Sequence, residues 1–251
     1  MKITIKLIAV CAVSTGTAAS FSMQISCAAQ SGAVLTPVIE LYTSEGCSSC
    51  PPADKWLSSL KDRGAGQAAV IEAFHVGYWD YIGWVDRFAS PAYTARQRQV
   101  AAWNQQRSIY TPQAVLNGRD WPDWAASGTH PPAATGPARA SIALRQLGDY
   151  QFEAIVTPAA GAPASWGAYW TITENGYNSR VKAGENAGEF LQHDFVVRQY
   201  TPAGDYSTDP ATPQRLTLRS IAPSPGHARQ VNLVVFDPKT GSTLQAVSAG
   251  C

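Results

Sequence analysis

The chain has 251 residues, is 45% hydrophobic and carries a formal net charge of +1 at pH 7. This length allows one large or two ordinary domains with buried cores. The near-neutral charge argues against nucleic acid as a partner, because phosphate binding normally needs clustered lysine and arginine.

The first 29 residues are typical of a signal peptide. Two lysines precede an apolar stretch at residues 7–13, and small residues follow. Cleavage after Ala19 and cleavage after Ala29 both fit the pattern. With the earlier cut Cys27 remains and could pair with Cys251, whereas the later cut leaves Cys251 as an odd thiol. No later stretch reaches the roughly 20 apolar residues of a membrane span. We therefore expect a periplasmic or secreted protein with no stable membrane span after signal removal.

The strongest local signal is a pair of cysteines two residues apart, Cys47 and Cys50. An apolar stretch at residues 37–43 predicts a buried strand before them, and residues 53–60 predict a helix after them. A residue before proline is pushed out of the α region, so the helix should begin near the two prolines that follow, with Cys50 as its cap. A strand, Cys-x-x-Cys and a helix in this order are typical of a thioredoxin-like redox site.

Two other interpretations of this cysteine pair remain open, an inert structural disulfide and a metal site. Structural zinc usually takes four ligands, but the sequence has no second cysteine pair and no histidines at metal-ligand spacing. Copper held by the two thiols with His75 is a further possibility. We expect no metal and no organic cofactor.

Residues 68–76 predict a second buried strand, parallel to the first through a helical crossover. This arrangement places His75 at the same sheet edge as the cysteines, either near the thiols or bonded to the backbone. The aromatic-rich residues 77–88 follow, and they either wall a substrate groove or form a small satellite core. Ser90 then caps a helix that begins at Pro91.

Residues 108–118 form the second strong signal. Pro112 enters a strand, which is usual at a sheet edge or a bend, and Asn117-Gly118 predicts a hairpin turn. A linker rich in proline, glycine and alanine covers residues 128–138. Beyond it, seven short alternating stretches predict an antiparallel sandwich. They cover residues 139–144, 150–157, 168–173, 195–200, 215–221, 231–236 and 244–247.

Several of these motifs together resemble a known family. They are residues 40–54, 74–84, 88–97 and 110–113, with residues 182–188 and 194–198. Over most of the mature chain the sequence is similar to a family of secreted bacterial proteins catalogued as domain of unknown function 1223, in the thioredoxin-like superfamily. The family brings no established reaction. We therefore predict an α/β thioredoxin-like domain with an aromatic insertion at residues 30–127, followed by an all-β antiparallel sandwich-like domain at residues 139–251.

The resemblance to thioredoxins implies that Pro112 is a cis-proline lying against the disulfide. Thr111 would then present its backbone to a bound substrate chain. The sequence also departs from thioredoxins in three places. Leu41 stands where they carry a buried aspartate, Gly46 replaces the tryptophan before the first cysteine, and the doubled proline shifts the start of the helix. These departures argue against efficient disulfide reduction and leave a slower oxidant, reductant or isomerase open.

The sequence thus predicts an exported thiol-disulfide oxidoreductase with a protein or a thiol as its substrate. Cys47 is expected to be the more exposed thiolate nucleophile, and Cys50 to resolve the mixed disulfide. The cis-proline segment positions the substrate, while His75 or Asp80 tunes protonation near the sulfurs. The alternative is a non-catalytic binding or structural protein in which the two cysteines form a permanent disulfide.

Overall fold

The computed structural model describes residues 27–61, 69–128, 133, 136–208 and 212–251. Residues 1–26, which hold most of the predicted signal peptide, and part of the predicted linker lie outside these ranges.

The α-helices are α1, Pro51–Lys61, and α2, Pro91–Trp103, and short 3-10 helices cover Asp80–Ile82 and Pro122–Ser127. The strands are β1 Ala28–Gln30, β2 Val38–Thr43, β3 Val70–His75, β4 Gln113–Leu116, β5 Arg119–Asp120, β6 Ala140–Gly148, β7 Gln151–Pro158, β8 Ser165–Glu174, β9 Tyr177–Arg180, β10 Phe190–His193, β11 Val196–Ser207, β12 Gln214–Arg219, β13 Arg229–Phe236 and β14 Thr243–Gly250.

An eight-stranded sheet in the order β14-β13-β8-β11-β3-β2-β4-β5 contains most of the strands. β3 pairs in parallel with both β2 and β11, and the other neighbours are antiparallel. β2 and β3 are buried at every position, which explains their nearly continuous apolar sequences. Within the described residues, no helix is both long and apolar enough to cross a bilayer.

A four-stranded antiparallel sheet, β1-β6-β7-β12, packs on one end of the large sheet. Its buried side chains share a core with those of β8, β13 and β14, including Trp166, Trp170 and Leu233. β6 alternates buried and exposed positions over most of its length, as a strand with one face on a core should. This end is an antiparallel sandwich. A disulfide between Cys27 and Cys251 joins the start of β1 to the end of β14.

The two helices pack on opposite faces of the other end of the large sheet. Leu57 of α1 shares a core with Leu41 of β2. Val100 of α2 packs in a separate core with Tyr42, the next residue along the same strand. Successive side chains of a strand point to opposite faces, so the sheet separates α1 from α2.

The predicted fold class is wrong. β8, β11, β13 and β14 come from the segment assigned to a separate sandwich, yet they extend the same sheet as β2 and β3, and Val196 of β11 pairs with Ala73 of β3. Over the residues that the structure describes, the chain is mostly β, with large sheets and without a distinct α/β thioredoxin-like core. Pairing between strands that lie far apart in the chain leaves no periodic signal in either strand, so the sequence revealed the strands but not their shared sheet.

Predictions of individual elements are confirmed. Each of the seven stretches predicted beyond the linker overlaps a strand. α1 begins at Pro51 directly after Cys50, and α2 begins at Pro91 with Ser90 as its cap. Asn117-Gly118 joins β4 to β5 with both residues at positive φ. The division into two domains stays a prediction.

Candidate functional site

Cys47 and Cys50 form a disulfide where β2 leads into α1. The Cys50 carbonyl accepts the N–H groups of Ala53 and Asp54 at 2.9 and 3.1 Å, so Cys50 caps the helix. The two intervening serines are exposed. Cys47, however, is only 1% exposed and Cys50 is fully buried. Both sulfurs are therefore covered, because neighbouring segments pack around this turn, and the role of Cys47 as the more exposed nucleophile stays a prediction.

One of these segments is the loop at residues 181–189 between β9 and β10, which we call the cap loop. The Asn186 side chain is buried in it. Its Nδ2 donates to the carbonyl oxygens of Glu45 and Cys47 at 2.8 and 3.0 Å. A single amide group thus binds two carbonyls of the disulfide turn, and it ties the cap loop to Cys47.

The cap loop also contacts the turn through Glu185. Its carboxylate accepts the N–H of Ser48 at 3.0 Å. Hydrogen bonding with the Ser48 side chain, and then with this N–H, lowers the pKa of Glu185. Gly184 and Gly188 on either side have φ of +76° and +93°. A Cβ at Gly184 would also lie 3.3 Å from the side chain of Ile82. Backbone conformation and close packing thus both favour glycine at position 184.

The aromatic-rich residues 77–88 pack on the other side of the disulfide turn. Trp84 Nε1 donates to Glu45 Oε2 at 2.7 Å. A Cβ at Gly46 would lie 2.9 Å from the Cβ of Trp79, so Trp79 leaves room only for glycine there. The sequence of this stretch allowed two interpretations, a groove wall and a satellite core. In the structure its two tryptophans contact the residues directly before Cys47.

Trp79 also connects the disulfide turn to the predicted substrate-positioning segment. Its Nε1 donates to Thr111 Oγ1 at 2.8 Å, and the Thr111–Pro112 peptide bond is cis. Thr111 and Pro112 are both partly exposed. The structure therefore links Thr111 to the disulfide turn through one residue, Trp79.

Five ionisable side chains are buried together next to the disulfide turn, and we call them the buried cluster. They come from the turn after β2, α1, the end of β3, the aromatic stretch and the end of β10. None is more than 7% exposed. They are Glu45, Asp54, His75, Asp86 and His193. Within the described residues, no group of three or more His, Cys, Asp or Glu side chains is arranged to hold a metal ion.

His75 and Asp86 form a pair in this cluster. His75 Nδ1 lies 2.7 Å from Asp86 Oδ2, and the same oxygen accepts the Glu45 N–H at 2.9 Å. Burial disfavours both charged forms, but the attraction between the two groups outweighs it. This attraction raises the pKa of His75 and lowers the pKa of Asp86. His75 is therefore joined to the disulfide turn through Asp86.

His193 lies between two acidic members of the cluster. Its Nε2 is 3.2 Å from Glu45 Oε1, its Nδ1 is 3.8 Å from Asp54 Oδ2, and its ring centroid is 4.9 Å from that of His75. Burial raises the pKa of Asp54 in spite of the nearby imidazoles. Burial alone would also raise the pKa of Glu45, but polar contacts led by His193 outweigh it and lower this pKa. One carboxyl thus favours its protonated form and the other its charged form.

Comparison with known proteins places the chain in a family. A family model described as "Protein of unknown function (DUF1223)" matches residues 38–236. The chain belongs to this family. No curated protein matches it significantly.

Two solved structures are similar to this DUF1223 chain. Protein AGR_C_4864 from Agrobacterium tumefaciens, an X-ray crystal structure, has a TM-score of 0.62 and 22% identity, over 86% of this chain and 94% of that one. HBP35 of Porphyromonas gingivalis has a TM-score of 0.52 and 11% identity, over 87% of this chain and 76% of that one. At these identities the similarity shows a shared fold alone.

The sequence pointed to part of this candidate site. It selected His75, and it proposed Asp80, whose Oδ1 accepts the Asp86 N–H at 3.1 Å. It missed Asp86, although Asp86 stands in the aromatic stretch that the sequence singled out. It also missed His193 and Asn186. The glycines around Asn186 were a usable signal for a shaped loop, whereas nothing near His193 pointed to the cysteines.

Proposed function

We propose that the protein is an exported thiol-disulfide oxidoreductase that acts on a protein or a thiol through Cys47 and Cys50. The buried cluster is the observation that carries the proposal. Burying five ionisable side chains costs stability unless they are paired, and a disulfide that only holds a turn needs no such neighbours. Thiol-disulfide exchange does use them, because thiolates form and take up protons during the reaction.

The size of the disulfide ring supports the same conclusion. Cys47 and Cys50 are three positions apart, whereas Cys27 and Cys251 are 224 apart. In the chain-entropy account, closing the short loop contributes about 2 kcal/mol and closing the long one about 5 kcal/mol. As a structural crosslink, the Cys47–Cys50 bond is the less effective of the two.

Exchange at this site needs two steps. A substrate thiolate attacks the sulfur of Cys47, forming a mixed disulfide and breaking the bond to Cys50, which leaves as a thiolate. A second substrate thiolate then attacks the mixed disulfide and releases Cys47. Two electrons pass from the substrate to the protein, and the reverse sequence reduces a substrate disulfide. Thr111 and Pro112 position the substrate chain next to Cys47.

Burial of the cysteines favours a second candidate function. With Cys47 only 1% exposed, a substrate reaches its sulfur only when the covering segments move. If they do not move, the disulfide is permanent, and the protein is a non-catalytic binding or structural protein.

A Cys50→Ser variant separates the two candidates. It leaves Cys47 as a free thiol and removes the residue that resolves a mixed disulfide. After incubation with glutathione disulfide, the folded variant should gain one glutathione at Cys47, measured by intact mass and peptide mapping. The Cys47→Ser/Cys50→Ser double variant is the matched control and should gain none. A folded Cys50→Ser protein that gains no glutathione would rule out exchange and support the permanent disulfide.

A further inference from the structure

A groove runs along α1 next to the buried cluster. A cavity of about 380 Å³ is lined by Lys55, Gln192 and His193 among others. A smaller cavity of about 70 Å³ is lined by Pro51 and Asp54, and it shares Lys55 and Gln192 with the first. The two cavities are therefore adjacent, between α1 and the β9–β10 hairpin, and we call them together the α1 groove. It extends to the residue that follows Cys50.

Asp54 and His193 form the buried floor of the α1 groove. They are 7% and 2% exposed, yet His193 lines the larger cavity and Asp54 the smaller one. Neither ring nitrogen of His193 meets hydrogen-bond geometry with a partner among the described residues, although Glu45 lies 3.2 Å away. Buried polar atoms rarely lack such geometry, and the groove beside His193 has room for water to supply it.

Ionisable groups face His193 from each element packed against it. They are Glu45 after β2, Asp54 in α1, His75 at the end of β3 with Asp86 behind it, Tyr177 opposite it in β9, and the adjacent Asp194 with its partner Lys61. Carboxyl groups thus lie on two sides of the imidazole. A proton that reaches His193 from the groove has an acceptor within the cluster.

Opening the disulfide creates a need for a proton at a buried atom. When a thiolate attacks Cys47, the electron pair of the broken bond stays on the sulfur of Cys50. Cys50 is fully buried, so its thiolate is costly until it is protonated. Asp54 lies in the first turn of the helix that Cys50 caps, and it contacts His193. Burial raises the pKa of Asp54, which favours the form that donates a proton.

We propose that His193 is a positioning residue that acts through Asp54 to pass protons between water in the α1 groove and the sulfur of Cys50. This inference rests on the proposed exchange function of the same site. In the reducing direction, a dithiol supplies two electrons and is itself oxidised to a disulfide, and the proton for Cys50 comes from the groove. On oxidation the proton leaves by the same route.

The test is the pH profile of disulfide opening by dithiothreitol. The rate of Cys47–Cys50 opening is measured from about pH 5.5 to 9 by quenching and alkylation, and is divided by the concentration of dithiothreitol thiolate. In the wild type this normalised rate should be highest at low pH and fall as the relay loses its proton. His193→Gln should give a flat profile, about tenfold or more below the wild type at pH 6.

His227→Gln is the matched control, because His227 stacks on Tyr177 and contacts the Asn175 carbonyl, outside the buried cluster. It should keep the wild-type profile. Asp54→Asn tests the same relay and should also flatten the profile. This second variant keeps the test possible if His193→Gln does not fold. If the His193 and Asp54 variants fold with a lower Tm but keep the wild-type pH profile, the relay is contradicted and the proposed exchange function is not. A wild-type disulfide that does not open while the protein is folded would overturn the proposed function instead.

Discussion

Glu72 is a buried carboxyl group whose charge depends on the fold. It is fully buried in β3 and accepts hydrogen bonds from the Tyr169 and Thr171 hydroxyls at 2.9 and 2.5 Å. Its register partner Glu40 is already held by two hydrogen bonds from Arg96. Burial, and then the charge of Glu40, raises the pKa of Glu72 to about 8. Glu72 therefore keeps its proton at neutral pH.

This shift predicts a pH-dependent stability. The pKa of Glu72 in the fold lies above its ordinary value of 4.5. Its contribution is therefore fully present below about pH 4.5 and is lost as the pH rises through about 8, at up to about 1.4 kcal/mol per pH unit. Glu72→Gln should remove this part of the pH dependence, so Tm should fall less between pH 5 and 8 than in the wild type. Glu189→Gln, at an exposed position, is the control; equal slopes in all three proteins would contradict the assignment.

At the scale of elements, the cap loop is hydrogen-bonded to the disulfide turn at several points. Asn186 joins the loop to the carbonyls of Glu45 and Cys47, and Glu185 joins it to the backbone of Ser48. Within the loop, the Gly188 N–H donates to the Val181 carbonyl at 2.9 Å, which closes the loop at its base. A loop that is closed at its base and held at its tip by a few polar contacts can move as a unit.

Removing the Asn186 side chain should therefore release the loop. Asn186→Ala leaves two carbonyls without their donor, which should lower the free energy of unfolding by about 1–3 kcal/mol. It should also speed the opening of Cys47–Cys50 by dithiothreitol, measured by alkylation under conditions where the protein stays folded. Asn178→Ala, in the exposed part of the same hairpin, should change neither quantity. A destabilised Asn186→Ala protein that opens no faster than the wild type would show that the loop does not limit access.

At the scale of the whole molecule, the sequence predicted the strands and the helix starts but not their assembly. Local signals were sufficient where one residue type decides the outcome, as at Pro51, Ser90 and Asn117-Gly118. The eight-stranded sheet depends instead on β11 pairing with β3, and neither strand carries a signal of that partner. The same pairing brings the β9–β10 hairpin, and His193 with it, to the cysteines. His193, for which the sequence held no signal, therefore belongs to the part of the site that only the tertiary fold creates.

The reduction potential of Cys47–Cys50 tests the central claim most directly. The protein is equilibrated in glutathione buffers of known potential, alkylated and mapped by mass, and Cys27–Cys251 is followed in the same digest as a structural reference. We expect a potential above about −270 mV for Cys47–Cys50, among exchangeable disulfides, while Cys27–Cys251 stays oxidised. A Cys47–Cys50 pair that stays oxidised below about −300 mV would be a permanent crosslink and would contradict the proposed function.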